Sequence, residues 1–331
     1  MTVLAGSRAY ACENRVHGII GFAATHATKD DTPLEFLTGL IRAMRPRQWT
    51  KNAIVYAGIV FDGQLFVPAS FLRVTASFVL LCLISSAIYM INDLVDIESD
   101  RQHPKKRFRA IASGQFPVPA ARVAAVVLII ISIGGALLFS GGLAVVLLAY
   151  LVTHLLYSWK LKHIVILDLM SVAAGFVMRV IAGVVVIHVQ AFSPWLYACT
   201  GLLALFLVIG KRRQELIELG AGAGNIRATL GSYNLALLDD MLRMVTTSTL
   251  IAYLLYTIEA PSVLLAGTNL ALLTVPFVLY ALWRYLYLIH VKGEGSAPEE
   301  VLLRDRSLQV SILLWGLTFV AILYFPNLMP A

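Results

Sequence analysis

Long apolar runs set the first limit on this chain, because about 20 consecutive apolar residues are what a helix needs to cross the hydrocarbon core of a bilayer. Nine such runs can be read, at approximately 49–66, 70–92, 119–140, 142–159, 164–188, 194–212, 239–259, 267–289 and 307–325. Asp62 and Gly63 interrupt the first. The chain is 59% hydrophobic and 14% charged, against about 45–50% and about 25% in a soluble domain. The expected fold is all-α: a polytopic membrane protein of about nine transmembrane helices, with residues 1–40 as an N-terminal tail and 41–331 as one domain. The tail holds only a short apolar patch, roughly His17 to Ala24, before a polar Thr-Lys-Asp-Asp-Thr stretch, so it does not read as a cleavable signal. Cys12, Cys82 and Cys199 show neither paired nor metal-ligand spacing.

Charge sets the topology. One group of connections carries Arg42, Arg45, Arg47 and Lys51, then Arg101 to Arg109, Lys160 and Lys162, Lys211 to Arg227, and Lys292 to Arg306. The alternate group, Phe66 to Pro68, Ser140 to Gly142, His188 to Pro194 and Glu259 to Asn269, has no Lys or Arg. Basic residues collect in cytoplasmic loops. The N-terminus is therefore expected in the cytoplasm, the C-terminus outside, and the protein in the plasma (inner) membrane. The same rule accounts for the net charge of +7 without a nucleic-acid partner. Spans two, four, six and eight all run toward the cytoplasm, so the polar sequences after them meet on one face.

The strongest of these is Asn92-Asp93-Leu94-Val95-Asp96-Ile97-Glu98-Ser99-Asp100. On a helix Asp93, Asp96 and Asp100 sit at i, i+3 and i+7 and share a face. Three such carboxylates repel one another unless a cation neutralises them, and hard oxygen ligands suit Mg²⁺, which is held by one or two carboxylates plus substrate phosphates. Directly after comes Arg101-Gln102-His103-Pro104-Lys105-Lys106-Arg107-Phe108-Arg109, then Ala112-Ser113-Gly114. The bases suit phosphate oxygens that the metal leaves free.

Other candidates lie on the same face. Tyr157, Lys160, Lys162 and Asp168 close span four and open span five, with Trp159 as an interfacial residue. Arg179 lies three turns into span five, where a charge is expensive unless it meets a polar cavity or a carboxylate. Lys211, Arg212 and Arg213 end span six; adjacent residues cannot share one helix face, so one or two of them are expected at substrate. Arg45, Gln48 and Lys51 stand at helical spacing before span one.

These residues bring a resemblance into view. The acidic motif with His-Pro-Lys-Lys-Arg and Ala-Ser-Gly, Arg45-Pro46-Arg47-Gln48-Trp49-Thr50-Lys51-Asn52, Tyr157 to Lys162 with Asp168, and Lys211-Arg212-Arg213-Gln214-Glu215 resemble the UbiA superfamily of intramembrane prenyltransferases. Within it the decaprenyl-phosphate phosphoribosyltransferase branch is the most similar. The resemblance spans roughly residues 40 to 325. It implies a helical bundle with a cavity open to the membrane, and transfer of 5-phosphoribose from phosphoribosyl diphosphate to a polyprenyl (decaprenyl) phosphate, a step toward a lipid-linked pentose donor for cell-wall arabinan. With those substrates, the residues themselves lead to the expectation that Asp93, Asp96, Tyr157 and Lys162 act in catalysis, with Mg²⁺ on Asp93 and Asp96 and Asp100 assisting. Substrate contacts are expected at Asn92, Arg45, Gln48, Lys51, Lys105, Lys106, Arg107, Arg109, Lys160, Asp168, Arg179, Lys211 and Arg212. Family members acting on prenyl diphosphates usually carry a second Asp-x-x-x-Asp motif; here Asp168 is followed at that distance by Val172. The branch motif Tyr-x-x-x-Lys leaves Lys160 and Lys162 both open, three and five residues after Tyr157. A prenyl diphosphate-dependent transferase is the alternative reading. A transporter is the other class, disfavoured because transporter sites sit near the midplane. Homo-oligomerisation is left open.

Overall fold

The computed structural model describes residues 33–104, 106–187, 193–220, 228–259, 269–295, 301–302 and 304–324. No strand occurs among them. The helices are α1 (Pro33–Met44), α2 (Ala57–Phe61), α3 (Pro68–Val95), α4 (Ile97–Gln102), α5 (Val118–Phe139), α6 (Gly141–Trp159), α7 (Leu167–Val184), α8 (Pro194–Leu219), α9 (Leu235–Ile258), α10 (Val275–Tyr287) and α11 (Arg306–Tyr324). The continuous stretch Leu270–Lys292 contains α10. Among the described residues, eight helices have the length and apolar character to cross a membrane.

The first expected span is built differently. It is a 3₁₀ segment, Pro46–Tyr56, running straight into the five-residue α2. A 3₁₀ helix rises about 2.0 Å per residue against about 1.5 Å in an α-helix, so the two pieces together reach about 30 Å, the thickness of the hydrocarbon core. The count of about nine spans is therefore close. The segment docks tightly on α7: a Cβ on Gly183 would lie 1.9 Å from the Val55 carbonyl oxygen, so only glycine fits.

Termini follow local chemistry. Pro68 and Pro194 open α3 and α8, where a missing N–H costs nothing. Ser140, Ser193 and Asn234 cap α6, α8 and α9 by accepting from the backbone N–H of Leu143, Trp195 and Leu237. α8 runs to Leu219, beyond the expected end at residue 212, so Lys211 to Glu215 lie on helix rather than in a loop.

The domain boundary expected at residue 40 falls inside α1. α1 packs on α3, the Phe36 ring lies 5.3 Å from Phe116, and Arg42 donates to Gln115 at 3.0 Å. The rest of the expected tail, residues 1–32, is outside the described residues.

Candidate active site

The two non-glycine residues with positive φ among the described residues flank the polar end of the bundle: Arg45 (φ 54°) and Ile166 (φ 71°). Each costs of order 1–3 kcal/mol, strain that persists where surrounding contacts over-determine it. Arg45 makes the sharp turn from α1 into the 3₁₀ segment. That turn brings its guanidinium onto Asp93, over the Tyr89 ring at 5.2 Å. Ile166 turns the chain into α7 and donates its N–H to the Tyr233 hydroxyl at 2.8 Å.

The acidic motif is not one straight helix. α3 ends at Val95, Asp96 departs from helical geometry (φ −94°, ψ 11°), and α4 starts at Ile97. The expectation that three aspartates share a single face is thereby corrected. Asp93 and Asp100, both buried, converge on Arg109, whose Nη1 lies 3.1 Å and 2.6 Å from them. Asp96 turns away, with its side chain 41% exposed, and accepts from Lys162 Nζ at 3.0 Å. Asn92 accepts from Ser158 on α6, tying α3 to α6.

Lys106 lies near Asp96, Asp100 and Glu215; burial and then the Arg109 charge pull its ammonium below the usual lysine range. Such a lysine is less well satisfied by the protein alone and gains when a polyanion arrives.

Lys162, not Lys160, reaches the acidic motif, because the 3₁₀ turn Leu161–His163 swings it back over the bundle. Lys160 is exposed. Tyr157 lies close to Arg212. The three bases on α8 separate as adjacent helix positions must: Lys211 is half-buried, Arg212 goes to Asp168 and Glu215, and Arg213 to Asp239 at 2.6 Å. Gln48 and Lys51 are half-buried on the 3₁₀ segment, and Arg107 is exposed with its guanidinium over Phe108. Lys105 and Arg227 lie outside the described residues.

Asp168 has no exposure. It accepts from Tyr233 at 2.8 Å and from Arg212 Nε at 3.3 Å, and Arg212 also holds Glu215 at 2.5 Å. Burial and the adjacent carboxylate push the Tyr233 phenol up to about 12, so it remains a donor. Asp168, expected at substrate, is enclosed here by Tyr233 and Arg212. Sequence reasoning missed Tyr89, Ser158 and the capping role of Tyr233, whose partners lie far away along the chain.

Among the described residues Arg179 meets no carboxylate. It donates to Asn52 Oδ1 at 2.8 Å and to the Tyr150 hydroxyl at 2.6 Å. Farther along the bundle, a cavity of about 370 Å³ is lined almost wholly by apolar and aromatic side chains, among them Ile54, Phe61, Tyr253, Tyr256 and Trp315.

Among the described residues no three His, Cys, Asp or Glu side chains gather as a ready metal cage. The donor set still fits Mg²⁺, which keeps water and takes one or two carboxylates plus substrate phosphates. Asp93 and Asp96 are hard oxygen donors three residues apart, the first buried beside Arg45 and Arg109 and the second partly exposed beside Lys162.

The fold and this charged bundle end define a polytopic membrane protein with an ionic site where several helices terminate. The UbiA prenyltransferase family matches residues 53–304, and the chain belongs to that family. It is 36% identical over 301 residues to a decaprenyl-phosphate phosphoribosyltransferase of Corynebacterium glutamicum, covering 89% of this chain and 90% of the relative. A protein of the same name from Mycobacterium tuberculosis is 34% identical over 301 residues, covering 88% and 97%. A UbiA homolog from Archaeoglobus fulgidus, solved bound to DMAPP and Mg²⁺, shares the fold: TM-score 0.65, 17% identity, 86% of this chain and 99% of that one.

Proposed function

We propose that this protein transfers 5-phosphoribose from phosphoribosyl diphosphate to a polyprenyl phosphate, decaprenyl phosphate being the acceptor named for its relatives. The observation that carries the reading is the composition of the site. The acidic motif is answered by Arg45, Arg109 and Lys162, and the single acid at the second position, Asp168, is already engaged by Arg212 and Tyr233. Such a site suits one metal-bound diphosphate plus a further phosphate held by bases.

Magnesium held by Asp93 and Asp96, with Asp100 assisting, would neutralise the donor diphosphate and favour its departure. Arg45 and Arg109 sit on the acids that the diphosphate approaches and can exchange carboxylate for phosphate oxygens. Lys162 is placed to follow charge onto the leaving group, and Lys106 adds a second ammonium. The C1–O bond to diphosphate breaks with its electron pair leaving on oxygen, and a C1–O bond forms to an oxygen of the acceptor phosphate. That phosphate is ionised near neutral pH, so no proton needs to be removed and no general base is required. In-line attack inverts the anomeric centre. The apolar cavity supports an isoprenoid tail on the acceptor. We further infer, from the basic connections, that the site faces the cytoplasm.

Purified protein given labelled phosphoribosyl diphosphate, a polyprenyl phosphate and Mg²⁺ is expected to move label into the organic phase. Turnover of a prenyl diphosphate with none of phosphoribosyl diphosphate would replace this reading by the prenyl-transfer alternative.

A further inference from the structure

Below the charged layer lies a second polar cluster that the reaction above does not use. Arg179 is 5% exposed and lies between the rings of Tyr150 and Phe176, each centred 5.0 Å from its guanidinium carbon. Its hydrogen-bond partners, Asn52 and Tyr150, are neutral, and Asn52 donates onward to Ser85 at 3.3 Å. Among the described residues no ion pair includes Arg179. A guanidinium inside a bundle without a counter-charge is costly, and it is retained where it meets an anion or a functional partner.

A second observation points the same way. His154 sits beside Tyr150, ring centroids 4.3 Å apart, and its buried Nε2 has no hydrogen-bond partner. Both groups converge over Gly175: a Cβ there would lie 2.9 Å from His154 Nε2 and 3.4 Å from Arg179 Nη1. The missing Cβ of Gly175 thus lets the imidazole and the guanidinium both pack close against α7. Donors of this kind bind phosphate oxygens.

We propose that Arg179, with His154 and Tyr150, forms the subsite for the phosphate of the lipid acceptor. The proposal rests on the transfer reading and adds where the nucleophile is held. Depth supports it: Ser85 and Tyr150 lie about 10 Å along their helices from Asn92 and Tyr157, at 1.5 Å rise per residue. That sets the cluster deeper in the bundle than the charged layer, toward the side on which the apolar cavity lies. The tail has a path. The 3₁₀ segment that contributes Asn52 also contributes Ile54 to the apolar cavity, and Val180, next to Arg179, packs in the cluster of Phe61, Tyr253 and Tyr256 that walls it. A donor phosphate entering from the aqueous end meets Lys106, Arg109 and Lys162 first.

The test uses full-length protein in nanodiscs, with farnesyl phosphate, farnesol and ribose 5-phosphate as probes. Farnesyl phosphate should raise the thermal midpoint of the wild-type protein more than farnesol, and Arg179→Gln should erase that difference. In the transfer assay Arg179→Gln should raise KM for the lipid phosphate about tenfold or more, the loss of one charge-assisted contact, while KM for phosphoribosyl diphosphate stays within about twofold. Should that variant fail to fold, His154→Phe, which leaves both hydrogen bonds of Arg179 in place, should show the same split more weakly. A rise in donor KM alone, or loss of a ribose 5-phosphate shift with the farnesyl phosphate shift intact, would overturn the subsite. If wild-type protein transfers nothing yet farnesyl phosphate still stabilises it through Arg179, the reaction is wrong and the subsite stands.

Discussion

Two aspartate–arginine centres lie at the same end of this bundle and are built for opposite purposes. At Asp93 and Asp100 the acids are buried, but their partners Arg45 and Arg109 keep about a quarter of their side-chain surface exposed. At Asp168 acid and base are both enclosed, at 0% and 5%, with Tyr233 closing the second carboxylate oxygen. A base that still sees solvent can trade a carboxylate for an incoming phosphate. A base sealed on its acid cannot do so without leaving a charge buried and alone. On the proposed reaction the first centre is where ligands would exchange, while the second ties α7, α8 and the Tyr233 loop together.

The largest expected effect separates the two by readout. Asp93→Asn should lower turnover on the order of 10³-fold, the scale of losing a charged group aimed at the reacting centre, while the purified protein keeps its helical circular dichroism. Near-normal turnover would break the assignment of the first centre. Asp168→Asn should instead destabilise the fold, by less than the about 3–5 kcal/mol of a buried charge left alone because Arg212 keeps Glu215, seen as a lower thermal midpoint before any change in donor KM. An unaltered midpoint with a raised donor KM would make Asp168 a substrate contact after all.

Next in size is the lysine pair. Lys162→Ala should raise donor KM about 10- to 100-fold, from one lost charge-assisted contact, and Lys160→Ala should leave it within about twofold. Equal effects would mean that the Asp96 contact is incidental. The smallest effect comes from a third pair away from the site, Arg284 with Asp305, where one bond measures 2.7 Å. Arg284 hydrogen bonding holds the Asp305 carboxyl below the usual aspartate range. A depressed carboxyl contributes stability above its unfolded pKa and loses it as pH falls through the folded value. Asp305→Asn should therefore lower the thermal midpoint slightly at neutral pH, the gap should close in acid, and transfer should be unaffected. A gap that widens in acid would contradict the pairing.

Much of the site was legible because its chemistry is local. The carboxylate cluster of Asn92 to Asp100 is plain from spacing alone, and the separation of Lys211, Arg212 and Arg213 follows from helix geometry. Other features depend on distant partners. Nothing in residues 157–168 says that Asp168 will be sealed by Tyr233, 65 residues on. The break at Asp96 is invisible because i, i+3, i+7 spacing looks the same on a bent helix as on a straight one. The first span misleads for another reason: hydropathy reports an apolar run but not a 3₁₀ path, which here follows from close docking against Gly183. Arg179 announced itself as an expensive charge, yet its neutral hydrogen-bond partners, Asn52 and Tyr150, come from two separate elements.

The comparison of the two centres is tested most directly by equilibrium binding of phosphoribosyl diphosphate across a Mg²⁺ titration, in wild-type protein and in Asp93→Asn. The account predicts tight binding to wild type that grows with Mg²⁺, and weak, Mg²⁺-insensitive binding to the variant. Equal, Mg²⁺-dependent binding to both would contradict it.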